Sequence, residues 1–117
     1  MEIASAFFTA SRSGDMSALG ALLAEDVSMH ADGGGKRPAA VEPVVGIRRI
    51  LQFHKALGVL YRKHQSQLVR TCRINGLPGF VTLEADGELQ TTAFEIEHGR
   101  IGAIYITRNP DKLKHLH

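Results

Sequence analysis

Three short turn signals, Asn75-Gly76, Asp86-Gly87 and His98-Gly99, punctuate the last third of the 117-residue chain at intervals of 11 and 12 residues. Asn-Gly and Asp-Gly tolerate the successive positive-φ positions of a tight hairpin turn, and His-Gly is a weaker form of the same signal. The segments around them, roughly 65–74, 79–85, 88–97 and 100–108, are rich in Val, Ile, Thr, Phe and Tyr, residues that suit a pleated, half-buried surface. Parallel strands would need a dozen or more residues for each crossover. Four strands with short connections therefore predict an antiparallel meander.

The preceding residues read as helices. Ile3, Phe7 and Ala10 recur at helical spacing, with Ala6 and Phe8 widening the stripe, and Gly14 ends the run. Asp15 suits the N-cap of a second helix whose apolar face is Met16, Leu19, Leu22 and Leu23, after which "AEDVSMH" turns extended. The prolines of "PAAVEPVVG" exclude a helix interior, and its valines suit an extended edge segment. From Gly46 to about Tyr61, the positions Ile47, Ile50, Leu51, Leu57 and Tyr61 describe a third and longest helix, with His54 inside the stripe. Helices first and strands afterwards predict an α+β fold in which three N-terminal helices pack on one face of a curved antiparallel sheet. Residues 1–117 are too few for two cores and make a single domain.

Composition narrows the function classes. A net charge of +2 gives no whole-molecule field toward nucleic acid. No apolar run approaches the roughly 18 residues of a membrane span, and the N-terminus lacks a basic-then-apolar leader. The single cysteine, Cys72, excludes an internal disulfide and suits a reducing compartment. The expectation is a cytoplasmic protein with no membrane or direct nucleic-acid contact. None of the six histidines forms an H-x-x-x-H or H-x-x-E-H pair, and Cys72 has no cysteine partner, so neither metal nor cofactor is expected.

The stretch "HADGGGKRP" at residues 30–38 places three glycines between Asp32 and Lys36. Glycine runs are entropically costly. A phosphate-binding loop is excluded, because His30 stands where its first glycine belongs, Arg37 follows the lysine, and Pro38 interrupts the following helix.

For acid–base chemistry the candidates are His54, Asp32 and His30. An imidazole on the inward stripe of the third helix titrates nearest neutrality, although a hydrogen-bonded structural histidine satisfies the same pattern. Strand alternation puts Ser28, His30 and Asp32 on one face and Val27, Met29 and Ala31 on the other. Thr71 and Arg73 share one face of the 65–74 strand, and Glu95 and Glu97 lie opposite Phe94 and Ile96. Spacing alone assigns no complete acid–base pair. Arg48, Lys55 and Arg62 recur every seven residues along the third helix, which suits a solvated stripe or an acidic partner surface.

The element order resembles the cone-shaped, cystatin-like fold of the nuclear transport factor 2-like, or SnoaL-like, superfamily. The phrases "LLAEDVSMHADGGGK", "PVVGIRRILQF", "INGLPGFV" and "ITRNPDKLKHL" resemble more narrowly the C-terminal domain of a group of extracytoplasmic-function sigma factors. The likeness runs from about Phe7 to Leu116, and its sharpest motifs are Asp32-Gly33-Gly34-Gly35-Lys36 and Asn109-Pro110-Asp111-Lys112-Leu113. The resemblance implies a regulatory domain whose two motifs bind sigma-type promoter-binding regions, in cis or in trans, so the glycine loop becomes a contact surface. Asn109, Pro110 and Asp111 equally fit the start of a terminal helix. The same resemblance implies a small apolar pocket near Phe53, His54, Thr71 and Arg73, and a homodimer formed through the sheet. In such sigma factors promoter-binding regions precede the domain, and the sequence leaves open a fragment of a longer protein or a stand-alone relative. The alternative is a small SnoaL-like enzyme of the polyketide cyclase, isomerase or hydrolase type.

Overall fold

A computed structural model of the protein describes residues 2–32, 43–63, 67–84 and 87–107. Its elements are α1 (Glu2–Ser13), α2 (Met16–Leu22), β1 (Leu23–Asp32), β2 (Val44–Val45), α3 (Ile47–Lys63), β3 (Gln67–Ile74), β4 (Leu77–Leu83), β5 (Leu89–Glu97) and β6 (Arg100–Thr107). The six strands form one sheet in the order β2-β1-β6-β5-β4-β3.

The turn pairs act as their chemistry requires. Asn75 and Gly76 take φ of 52° and 83°, and His98 and Gly99 take 51° and 76°, so β3, β4, β5 and β6 run antiparallel in succession. To this meander the chain adds β1, which lies parallel to β6, and β2, which pairs antiparallel with β1 at the sheet edge. The sheet is therefore mixed. Parallel pairing is possible here because the long connection between β1 and β6 contains β2, α3 and the first three strands of the meander.

Local chemistry sets the helix ends. Gly14 leaves α1 at a φ of 77°, a left-handed conformation that costs glycine least. The Asp15 carboxylate then accepts a hydrogen bond from the Ala18 N–H at 3.0 Å, capping α2. Leu23, expected on the apolar face of that helix, is instead the first residue of β1 and is fully buried there. In α1 Phe7 and Ala10 are buried and Ile3 and Phe8 pack against the core as the stripe requires, but Ala4 rather than Ala6 completes it, with Ala4 fully buried and Ala6 exposed.

One face of the sheet carries the helices. Phe7 and Ala10 of α1, Leu19 of α2 and Ile50 of α3 form one core with Val27 and Met29 of β1, Phe80 of β4, Phe94 of β5 and Ile101 and Ile104 of β6. Phe7 sits 4.8 Å from Phe94 and 6.2 Å from Phe80, centroid to centroid. Such tilted aromatic contacts add to the roughly 1.5–3 kcal/mol from burying each large apolar side chain. Register fixes the two faces. Phe94 stands opposite Ile104, and Ile104 opposite Met29, which makes this the inner face. Ser28, His30 and Tyr105 belong to the outer one, since His30 pairs with Tyr105 and alternates with Met29. No helix among the described residues is long and apolar enough to cross a membrane.

Candidate functional site

The inner face is apolar near α2 and becomes polar where α1 ends. Phe80, Thr82 and Glu84 alternate along and just beyond β4, and all three are buried. Register places Gln90 opposite Thr82 and Thr92 opposite Phe80, and these two are buried as well. The hydroxyl of Thr82, at 0% exposure, has no hydrogen-bond partner among the described residues. An unmet buried hydroxyl is costly, and natural proteins leave few of them.

From α1, Arg12 reaches over the same ground. Its guanidinium carbon lies 4.8 Å from the Phe8 ring centroid and 5.9 Å from that of Phe80, distances at which a cation is attracted to an aromatic face. Its Nη1 donates to the Ser11 hydroxyl at 2.8 Å, and Ser11 donates in turn to the Phe8 carbonyl at 3.1 Å.

His54 closes the cluster from α3. It is 3% exposed, its Nδ1–H donates to the Ile50 carbonyl at 2.9 Å, and Phe7 meets its ring edge-on at 5.5 Å. Burial holds its pKa below the ordinary histidine value. The bond to Ile50 opposes that lowering, and the nearby Arg12 charge adds to it. The ring is thus a neutral imidazole with Nδ1 donating, which leaves Nε2 to accept a proton or a hydrogen bond. The Arg12 guanidinium thus lies over the inner face of β4, from which the buried Thr82 and Glu84 also project. Among the described residues no group of three His, Cys, Asp or Glu side chains converges as a metal would require.

The residues singled out in the sequence are distributed unevenly. His54 and the half-buried Thr71, paired with Phe80, belong to the inner face. Phe53 is 41% exposed, with its ring centroid 5.6 Å from that of His54. Arg73 is exposed at the hairpin end, where it donates to the Gly76 carbonyl at 3.2 Å and closes the turn. His30 and Asp32 occupy outer-face register positions opposite Tyr105 and Thr107. The sheet thus separates His30 from His54. Gly33, Gly34, Gly35, Lys36 and the segment from Asn109 to Leu113 lie outside the described residues.

On the outer face His30 stacks on Tyr105 at 5.1 Å and pairs with the Ser28 hydroxyl at 3.0 Å. Tyr105 donates to Glu95 at 2.8 Å. The expected alternation of Glu95 and Glu97 against Phe94 and Ile96 breaks at a register shift between Glu95 and Ile96, which leaves Ile96 exposed. Arg12, Thr82, Glu84, Gln90 and Thr92 were not anticipated as site residues. The available signals were the four-residue spacing of Phe8 and Arg12 and the two-residue alternation of Phe80, Thr82 and Glu84.

No protein-family model matches the chain. It is 27% identical to the extracytoplasmic-function RNA polymerase sigma factor SigJ of Mycobacterium tuberculosis over 95% of its own length. It spans only 38% of that protein. The crystal structure of SigJ superposes with a TM-score of 0.69 at 25% identity, covering 96% of this chain and 42% of the other. A SnoaL-like protein of unknown function from Burkholderia thailandensis gives a TM-score of 0.73 at 12% identity, with 92% of each chain covered. A candidate ketosteroid isomerase from Kribbella flavida gives 0.70 at 17% identity, covering 92% of this chain and 75% of the other. The fold is thus α+β and SnoaL-like, and the sequence likeness is to a sigma factor.

Proposed function

We propose that this chain is a regulatory, partner-binding domain of the kind found in extracytoplasmic-function sigma factors, acting on sigma-type promoter-binding regions in cis or in trans. The supporting observation is a contrast. The SnoaL-like protein with the higher TM-score of 0.73 shares 12% of residues, whereas SigJ, at 0.69, shares 25% in the superposition. Backbone likeness is therefore general to the fold, while residue likeness is greater to the sigma factor than to that SnoaL-like protein, and function follows residues rather than fold. In this reading Asp32 to Lys36 and Asn109 to Leu113 are the contact surfaces, the protein works in the cytoplasm, and the sheet pairs two copies.

Run-off transcription tests the proposal, with residues 1–117 supplied as part of the native gene product or added in trans to sigma-dependent polymerase of the host. The expected result is a severalfold change in transcript yield that Asp32→Ala diminishes. Unchanged yield in both formats would overturn it.

A second reading is favoured by the buried polar cluster around His54 and Arg12. A small enzyme would use the His54 imidazole as general base within the cone. Its mark is turnover of a steroid-like ketone that His54→Ala abolishes with the fold intact. Under the regulatory reading that substitution leaves transcription nearly unchanged.

A further inference from the structure

The helix α3 holds five of the fourteen cationic residues of the chain, Arg48, Arg49, Lys55, Arg62 and Lys63, and none of its twelve carboxylates. The other hundred residues carry nine cations against twelve acids, so the excess positive charge of the protein resides on one helix. Ile47, Ile50, Leu51 and His54 take the inward side of α3, and Arg48, Arg49, Gln52, Phe53 and Lys55 stand exposed on the other. Arg48 and Lys55 are two turns apart, about 10 Å along the axis.

The positions of the arginines matter as much as their number. Arg48 and Arg49 occupy the first turn of α3, which contains no acid. A helix N-terminus carries partial positive charge, so carboxylates stabilise this turn and cations oppose it. The helix thus carries two cations where its own stability favours anions. An external anion docked there is attracted by both arginines and by the helix dipole. Apolar surface lies beside the charge: Phe53 is 41% exposed, and Val45, on the adjoining edge strand β2, is 52% exposed.

We infer that the outer face of α3 is a docking surface for an acidic protein segment that carries an apolar residue among its carboxylates. This rests on the partner-binding reading and names the chemistry of one partner surface. A polyanion such as duplex DNA fits less well, because the net acidity of the remaining residues repels a long phosphate backbone and exposed Phe53 and Val45 offer it nothing.

The test is fluorescence anisotropy with the full chain and two labelled probes, a 15-residue Glu/Asp peptide containing two leucines and a 15-base-pair duplex DNA. Saturable peptide binding is expected at low salt. It should fall about tenfold in the double variant Arg48→Glu, Arg49→Glu and about threefold in Phe53→Ala, as loss of paired charges and of a partly buried aromatic would give. The reversal places carboxylates in the first helical turn, where they favour the helix, so a melt by circular dichroism should show the fold retained. Peptide binding that is absent, or that the charge reversal leaves unchanged, overturns the inference. Tighter binding of the DNA, lost in the same variant, overturns it too and assigns the face to phosphates. Transcription that responds to residues 1–117 but not to the charge reversal overturns this inference alone. Peptide binding with no transcriptional response overturns the regulatory reading and leaves the docking surface standing.

Discussion

His54 and His30 stand on opposite sides of the sheet, and each touches an aromatic ring, yet the protein uses them differently. His54 is enclosed by α1 and α3, donates to its own helix at Ile50, and meets Phe7 edge-on. His30 is half-buried on the outer face, pairs with Ser28, and lies flat against Tyr105. The inner residue is fixed by packing that the whole fold depends on. The outer one is fixed by two side-chain contacts within the sheet. His54 is therefore coupled to global stability, whereas His30 and Tyr105 occupy half-buried outer-face positions beyond the buried Val81, Thr91, Ala93 and Ala103 of the same face.

The largest effect that would break this contrast is in the aromatic core. Phe94→Ala removes a fully buried ring that contacts Phe7 and Phe80, and such truncations cost about 3–5 kcal/mol. Against a total of roughly 5–15 kcal/mol for a small domain, the variant should unfold at markedly lower urea, as followed by far-UV circular dichroism. Tyr105→Ala on the outer face should cost far less. Equal losses would show that the two faces are energetically alike.

The pH dependence of stability tests the histidine side of the comparison. Because the folded pKa of His54 lies below its unfolded value, the unfolded chain binds the proton first as pH drops. Stability from a neutral His54 is therefore fully present above about 6.5, the unfolded histidine value, and is lost as pH falls from there through the folded pKa. Urea midpoints measured between pH 8 and 5 should decline on the acid side, and His54→Gln should remove part of that decline. A profile identical in the variant would mean that burial does not hold the imidazole neutral.

The difference between the faces also explains what could be read in the sequence. The turn pairs, the helix stripes and the Asp15 cap were legible because each acts within a few residues of itself. The same holds for His54, whose place on the inward stripe follows from helical spacing to Ile47, Ile50 and Leu51. The β1–β6 pairing was not legible, since strands about 70 residues apart are joined by tertiary packing and leave no local mark. The polar cluster was hidden for a related reason. Alternation puts Phe80, Thr82 and Glu84 on one side of β4 and Val81 and Leu83 on the other, but a strand with apolar residues on both sides does not say which side is covered. The closure of α1 over Phe80, bringing Arg12 with it, buries Thr82 and Glu84, while on the other side Val81 is buried as well and only Leu83 is exposed. Arg73, read with the pocket residues, is exposed at the end of β3, where its guanidinium donates to the Gly76 carbonyl.

The smallest expected effect sharpens the outer face alone. The Tyr105 phenol donates to Glu95, and that hydrogen bond is the main reason its pKa lies above 10.0, with desolvation and the Glu95 charge acting in the same direction. A hydrogen bond donated by the neutral phenol favours the protonated form, and a neighbouring carboxylate opposes a second negative charge. Glu95→Gln keeps the shape but removes the charge, so the phenol should ionise at lower pH. Tyr61 is the only other tyrosine, and the difference between wild-type and variant absorbance titrations near 295 nm isolates Tyr105. Since the pair is exposed, the same substitution should move stability at neutral pH by no more than about 1 kcal/mol. A downward shift in ionisation with little change in unfolding is the behaviour of a face whose side chains are joined to each other but not to the core. A large loss of stability would instead tie the Tyr105–Glu95 pair to packing through the sheet, and the separation between the two histidines would lose its energetic basis.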